Sequence, residues 1–446
     1  MSRAVIEIAE PVEHVQAAAK DTAIRSIRAT IVEAPTRRRH KLSNTEVTHQ
    51  GYVLVRVLLD NGVTGIGEAS TLGGPRWAEE SVESIKAAVT NYLAPALLGQ
   101  PALAFEANGL RMSKAATRNF AAKGAIESAL LDAAGKTLGL PASALLGGAV
   151  RERMEVIWAL ASGDSSQELE EAKEKLRRRE HRQFKIKFGF DRPQADLRRL
   201  QALRAGLGDE VRLIVDVNQG WTEAECIRFL PALEELDVAL IEQPVSALQL
   251  EAMARVAART SIPLLVDEAA FTKEEIARVA TMGCGSVYSL KLVKSGGLFE
   301  MKRAAAVAGA HGLELYGGCL LESSIGAAAH LAAFATLPKL EWAPSISVRG
   351  FSWRTWSSTR SNSTRSRSAS LMARVSASRS TRTRSVPSLA RTSPMTSSPR
   401  TIDNPGTHAQ SSRRNHRLER ALMTTRHQTR PAFPAASLEA RGRTSG

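Results

Sequence analysis

The sequence is poor in the features that mark several protein classes. Its three cysteines, Cys226, Cys284 and Cys319, are widely spaced and form no CxxC pair. That is too few for a disulfide scaffold and lacks the spacing of a zinc site. No apolar run reaches the roughly 18 residues that a membrane helix needs. The opening residues, MSRAVIEIAEPVEH, carry acids where an export signal would have an apolar stretch, so a cytoplasmic protein is expected. Lysine is the most informative absence. It is missing from residues 343–446, which hold 19 Arg against three acids, Asp403, Glu419 and Glu439. The formal net charge of the whole chain, +15, would suggest a nucleic-acid or membrane-surface protein. The first 342 residues, however, hold 41 bases and 42 acids, so the basic character belongs to the tail alone.

What is present reads as an enzyme-sized body of about two domains. Residues 1–23 form a polar leader. Residues 24–150 read as an α+β domain: β-rich IRSIRATIVEA and GYVLVRVLLD, an Asn61-Gly62 hairpin signal, then helical WAEESVESIKAAVTNYL and NFAAKGAIESALLDAAGKTLG, with Gly139 and Pro141 as stops. Residues 151–342 change rhythm. Seven short apolar strands (155–161, 184–189, 211–217, 238–243, 263–269, 286–293 and 313–318) alternate with amphipathic segments. Repeated βα units require a parallel sheet, and seven in a row favour an α/β class (β/α) barrel over a doubly wound sheet. An eighth strand is expected near 340–350. Residues 343–446, rich in Ser, Arg and Thr, cannot bury enough apolar surface to offset ordering entropy, so disorder is expected. Two readings of this tail compete: an arginine-rich nucleic-acid arm, or out-of-frame translation of GC-rich coding DNA. The absence of Lys and the abrupt start inside an expected strand favour the second.

Each middle barrel strand ends in a charged residue. Lys185 and Lys187 lie in KIKFG, Asp216 in DVNQGW, Glu242 in IEQP, Asp267 in DEA and Lys291 in LKLVKSGG. The successive separations from Lys187 are 29, 26, 25 and 24 residues, one βα unit each. Such a register brings all of them to the C-terminal mouth of a barrel, where active sites lie. Three carboxylates there would repel one another unless a hard cation joined them, and all-oxygen ligation suits Mg²⁺ or Mn²⁺. Lys185 and Lys187, two residues apart, share the inward face, while Ile186 points out, and Lys185 is a substrate-binding candidate that either contacts substrate or tunes Lys187. A lysine beside a cation and another lysine is expected to have a lowered pKa and to exchange protons near neutrality. A metal with a lysine pair suits proton transfer at the carbon next to a carboxylate.

Together with RRRHKLS, ALASGD and LYGGCLLESSIG, these motifs resemble the muconate-lactonising subgroup of the enolase superfamily over about residues 24–342. KxK, the acid triad and the second lysine are shared across the subgroup, whereas HKLS, ASGD and YGGCLLESSIG are more particular to its cycloisomerases. The resemblance implies an α+β capping domain over a barrel. It implies lactonisation of cis,cis-muconate in catechol breakdown, with Asp216, Glu242 and Asp267 on Mn²⁺ (or Mg²⁺), Lys187 as the acid that protonates the α-carbon, and Lys291 opposite. It also implies a homo-oligomer, often an octamer, acting on a small dicarboxylate.

Other readings within the fold share the same charged set: chloromuconate cycloisomerase, o-succinylbenzoate synthase, and amino-acid or dipeptide epimerase. A damaged, inactive family member is another, and a nucleic-acid binder using the Arg tail belongs to a different class. The run Arg37–Lys41 lies between two early strands and is either a lid that attracts a dianion or a solvated hairpin loop. His40 and Lys41 are its substrate-binding candidates. Gly296-Gly297 reads as a turn, with phosphate binding the weaker alternative. Glu322 and Ser323 either line the mouth or cap the next helix, with the cap favoured, and His311 and His330 read as structural. The resemblance also implies a glutamate-bearing eighth strand and a closing segment after Trp342. APSISVRG follows instead, and the loss of that strand would expose two sheet edges.

Overall fold

The structure is a computed structural model that describes residues 21–346. The leader up to residue 20 and residues 347–446, including nearly all of the expected disordered tail, lie outside the described residues. Three antiparallel strands open the chain, β1 (Ile24–Leu42), β2 (Thr45–Leu59) and β3 (Thr64–Ser70). The tight turn between β2 and β3 uses Asn61-Gly62: Val63 N donates to Asn61 Oδ1 at 3.0 Å, and Gly62 takes a left-handed φ of 80°. Helix α1 (Val82–Ala88) starts at a Ser81 capping box and runs through a π turn, Val89–Leu93, into α2 (Ala94–Leu97). After it come α3 (Phe105–Ala115), α4 (Phe120–Leu138) and α5 (Ala142–Leu145).

Helix α4 packs on β3 at close range, because small residues face each other. A Cβ on Gly67 would fall 2.0 Å from the carbonyl oxygen of Ala125, and one on Gly65 would fall 2.0 Å from that of Ala129. The N-terminus of α4 is held by the Glu80 carboxylate, which accepts from Ala121 N at 2.9 Å and Ala122 N at 3.3 Å.

The second half alternates strand and helix. β4 (Trp158–Leu160), α6 (Ser165–Arg177), β5 (Gln183–Lys187), α7 (Pro193–Leu207), β6 (Arg212–Asp216), α8 (Glu223–Glu235) and β7 (Val238–Glu242) come first. Then follow α9 (Leu250–Ala257), β8 (Leu264–Val266), α10 (Lys273–Thr281), β9 (Val287–Leu290), α11 (Leu292–Ser295), α12 (Leu298–Ala310), β10 (Glu314–Gly317) and α13 (Ser324–Phe334). All seven expected strands are present. They pair in parallel, in chain order from β4 to β10.

The eighth position is occupied, though not by a regular strand. Residues 342–346 make one parallel bridge to each edge of the sheet, Tyr316 with Trp342 and Ile157 with Ser345. Trp342 N donates to Leu315 O at 3.1 Å, Ser345 N to Gly317 O at 2.8 Å, and Ile157 N to Pro344 O at 2.9 Å. The expectation of two open edges is therefore corrected: the first residues of the tail still follow the barrel. Inside the ring, Ile157, Ile214, Leu240, Leu265, Val287, Tyr316 and Trp342 form one buried apolar layer.

Candidate active site

The period of two along each strand sets the next layer. Two residues above Ile214, Leu240 and Leu265 stand Asp216, Glu242 and Asp267, and above Val287 stands Ser289. In the sheet register Lys187 lies beside Asp216, and Asp216 beside Glu242. All three carboxylates are fully buried. Lys185 and Lys187 share the inner face of β5, while Ile186 joins the outer core beneath the helices. Lys291 follows β9 directly.

Ammonium groups sit on these carboxylates. Lys185 Nζ lies 2.6 Å from Glu242 Oε2 and 3.4 Å from Asp216 Oδ2. Lys187 Nζ is 2.5 Å from Asp216 Oδ2 and donates to Asn218 Oδ1 at 2.9 Å. Lys291 Nζ bonds Asp267 Oδ2 and stands 4.1 Å over the Trp77 ring. Lys294 Nζ donates to the Asp267 carbonyl at 2.7 Å and to Ser289 O at 2.9 Å, and pairs with Asp267 Oδ1 at 3.3 Å. Asn218 Nδ2 donates to Glu268 Oε1 at 3.2 Å, while Glu268 Oε2 is buried with no partner. The cluster thus sets Asp216, Glu242, Asp267 and Glu268 against Lys185, Lys187, Lys291 and Lys294.

The expected lowering concerns a lysine beside a cation; the protein's own charges act on Lys185 and Lys291 in the opposite sense. Burial alone would lower Lys185, but Glu242, Tyr316 and Asp216 hold it well above its usual value. Burial likewise works against Lys291, and Asp267, Glu242 and Glu268 raise it. Each ammonium faces more negative than positive charge. Lys294 behaves the other way: burial, with Lys291 adding to it, outweighs Asp267 and pushes it down to about 8. Burial and repulsion from Asp216 and Asp267 push Glu242 up to about 7, and burial with repulsion from Asp267 pushes Glu268 up to about 8. Asp216 is held below the usual carboxylate range: burial raises it, but Lys187 and Lys185 more than offset this.

Among the described residues, no three acidic, His or Cys side chains converge closely enough to share one ion. The donor set nevertheless fits a hard cation. Its members are all carboxylates on consecutive strand ends, the Lys185 ammonium already bridges Asp216 and Glu242, and an unpartnered Glu268 oxygen lies in the same cluster.

The Arg37–Lys41 run lies within β1 rather than in a loop between strands, with His40 opposite Val47 and Lys41 opposite Glu46. This hairpin reaches the mouth: Ser43 Oγ donates to Asn218 O at 2.6 Å, and Lys41 N to Ala161 O at 3.0 Å. His40 comes near Lys187. Burial, then Arg38 and Lys187, push its imidazole down to about 3, so it stays neutral. Lys41 is not brought into the cluster; its ammonium lies 5.3 Å over the Phe190 ring. Arg38 pairs with Glu171 at 2.9 Å. Asn218, Glu268 and Lys294 were not singled out from the sequence, although DVNQGW, DEA and LKLVKSGG contain them. They lie past the strand ends, where alternation no longer tells which way a side chain points.

The remaining sequence candidates have structural partners. Ser323 caps α13, accepting from Ile325 N at 3.2 Å. His330 Nε2 accepts from Leu292 N at 3.0 Å. Gly296-Gly297 leads into α12, whose first amides are taken by the Glu127 carboxylate rather than left for a phosphate.

Comparison with known proteins agrees with this geometry. Residues 26–147 match the family described as Mandelate racemase / muconate lactonizing enzyme, N-terminal domain, and residues 167–359 match Enolase C-terminal domain-like. The chain belongs to the mandelate racemase / muconate lactonizing enzyme family of the enolase superfamily. Muconate cycloisomerase 1 of Pseudomonas putida is 44% identical to this family member, over 72% of the chain and 86% of that protein. Chloromuconate cycloisomerase of Cupriavidus pinatubonensis is 41% identical, over 71% and 85%. Among solved structures, muconate lactonizing enzyme from Pseudomonas fluorescens complexed with muconolactone superposes with a TM-score of 0.71 at 42% identity, covering 73% of this chain and 87% of that one. Enzymes of this superfamily work with a Lys or His base and a divalent metal. No helix among the described residues is long and apolar enough to cross a membrane.

Proposed function

We propose that this family member catalyses the metal-assisted cycloisomerisation of a cis,cis-muconate, unsubstituted or chlorinated, to a lactone. The observation that carries the reading is the alternation of lysines and carboxylates in one layer at the strand ends, with neutral His40 beside Lys187. Asp216, Glu242 and Asp267 would hold Mn²⁺ or Mg²⁺, which when bound supplies positive charge next to a substrate carboxylate. One substrate carboxylate oxygen adds to the distal double bond and closes the ring. The electron pair moves to the carbon next to the other carboxylate, and Lys187 delivers a proton there. Muconate is a dianion and the lactone a monoanion, so each turnover takes up one proton, which returns Lys187 to its ammonium form. Lys291, across the ring, places a fixed positive charge where the negative charge develops. Lys185 holds Glu242 and Asp216 in place, and His40 borders the substrate from the hairpin. A homo-oligomer belongs to the same proposal.

The relatives support muconate and chloromuconate equally. The test is to mix purified protein and Mn²⁺ or Mg²⁺ with cis,cis-muconate, 2-chloromuconate and a dipeptide. Loss of diene absorbance is expected, and Lys187→Met should slow it by about 100-fold or more. Racemised dipeptide with unchanged muconate would overturn the assignment in favour of an epimerase.

A further inference from the structure

We propose that Glu68 of the capping domain is a positioning residue for the loop between β10 and α13, and through that loop for Lys291. The inference rests on the isomerase reading above. The loop, residues 318–323, begins against the catalytic lysine: a Cβ on Gly318 would fall 2.4 Å from both Lys291 Cε and Ser289 Oγ. It does not hold this course unaided, because Leu321 adopts a left-handed φ of 57° that a branched side chain disfavours. Besides the loop's own bond from Leu320 N to Glu322 Oε1 at 2.7 Å, it is held by one face of the capping sheet. Gln50 Nε2 donates to Leu320 O at 2.9 Å, and Tyr52 Oη to Leu321 O at 3.0 Å. Glu68, opposite Leu54 in the register and so on the same face as Tyr52, accepts from Ser323 N at 2.8 Å through Oε1 and from Ser323 Oγ through Oε2. Glu68 is the acidic member of the three and is 2% exposed. Its contact is close enough that a Cβ on Gly326 would lie 2.8 Å from Oε1. A double hydrogen bond to one serine therefore fixes the far end of a loop whose near end backs Lys291.

Cys319 is a built-in reporter, because it sits half-buried on this loop while Cys226 and Cys284 are buried elsewhere. The experiment compares the full-length, metal-supplemented wild type with Glu68→Ala and Glu68→Gln. Iodoacetamide labelling is located by mass spectrometry, and kcat and KM are measured with cis,cis-muconate. In Glu68→Ala, Cys319 should label at least tenfold faster with the other two cysteines still protected. In the same variant kcat should fall about 10- to 100-fold, with KM within threefold of wild type. Glu68→Gln keeps an oxygen for Ser323 N and can donate to Ser323 Oγ, so it should restore both readouts to within threefold. Unchanged Cys319 labelling in Glu68→Ala overturns the proposal. Labelling of all three cysteines overturns it too, since that is general loosening. Faster Cys319 labelling with unchanged kcat overturns the link to Lys291. A wild type that leaves muconate untouched overturns the isomerase reading, while the labelling still decides whether Glu68 anchors the loop.

Discussion

Replacing Glu127 with glutamine tests how the capping domain is fastened to the barrel. Glu127 projects from α4 and is fully buried; its Oε1 accepts from Phe299 N at 3.0 Å and from Leu298 N, the first amides of α12. Burial pushes its carboxyl from 4.5 up to about 7, against the lowering effect of those two amides. At about 1.4 kcal/mol per pKa unit, ionising it in the folded protein costs about 3 kcal/mol. The folded state binds the proton more tightly than the unfolded chain. Stability from this group is therefore complete below about pH 4.5 and is lost as pH rises to about 7. Glutamine keeps the accepting oxygen and never ionises. Glu127→Gln should match wild type in urea-unfolding free energy at about pH 4 and exceed it at about pH 8 by about 3 kcal/mol. A wild-type-minus-variant difference that does not change with pH would refute the reasoning.

Three further outcomes follow from the same physics. Asp267→Asn leaves the buried ammoniums of Lys291 and Lys294 without their shared charge, and should cost about 3–5 kcal/mol in chemical denaturation. Trp342→Ala removes the side chain that fills the eighth position of the inner apolar layer. It also removes the bond from its Nε1 to Glu314 Oε2 at 2.7 Å, and the midpoint of thermal unfolding should fall by an amount equivalent to about 3–5 kcal/mol. Stripping divalent ions with a chelator should abolish muconate turnover, and either Mn²⁺ or Mg²⁺, but not Na⁺, should restore it.

Much of this fold was legible because a parallel strand buried on both faces must be a short apolar run, and such runs are easy to read in 211–217 or 238–243. The charged ends were legible because a βα unit repeats at nearly constant length. Three things were not. The end of β1 carries Arg37 through Lys41, a run that reads as a turn, yet hairpin pairing carries the strand on to Leu42. Helix α3 has few buried residues, Asn108 and Met112, so its sequence shows little amphipathic pattern. The βα count places the eighth position near 340–350 but its own residues do not, since two bridges need neither length nor β-branched residues. The pairing within the charged cluster was hidden for a related reason. Sequence spacing shows which charges share a mouth but not which pairs touch, and touching sets the sign for Lys185 and Lys291.

The bridges at Trp342 and Ser345 place the barrel's seam between its first and last segments. Every other strand can find its neighbour within one helix of itself. The seam must wait until the far end of the domain has left the ribosome, and until then β4 and β10 each show a bare edge. The closing joint has few hydrogen bonds, so changes at residues 342–346 bear first on whether the ring shuts, before they bear on any residue that does chemistry.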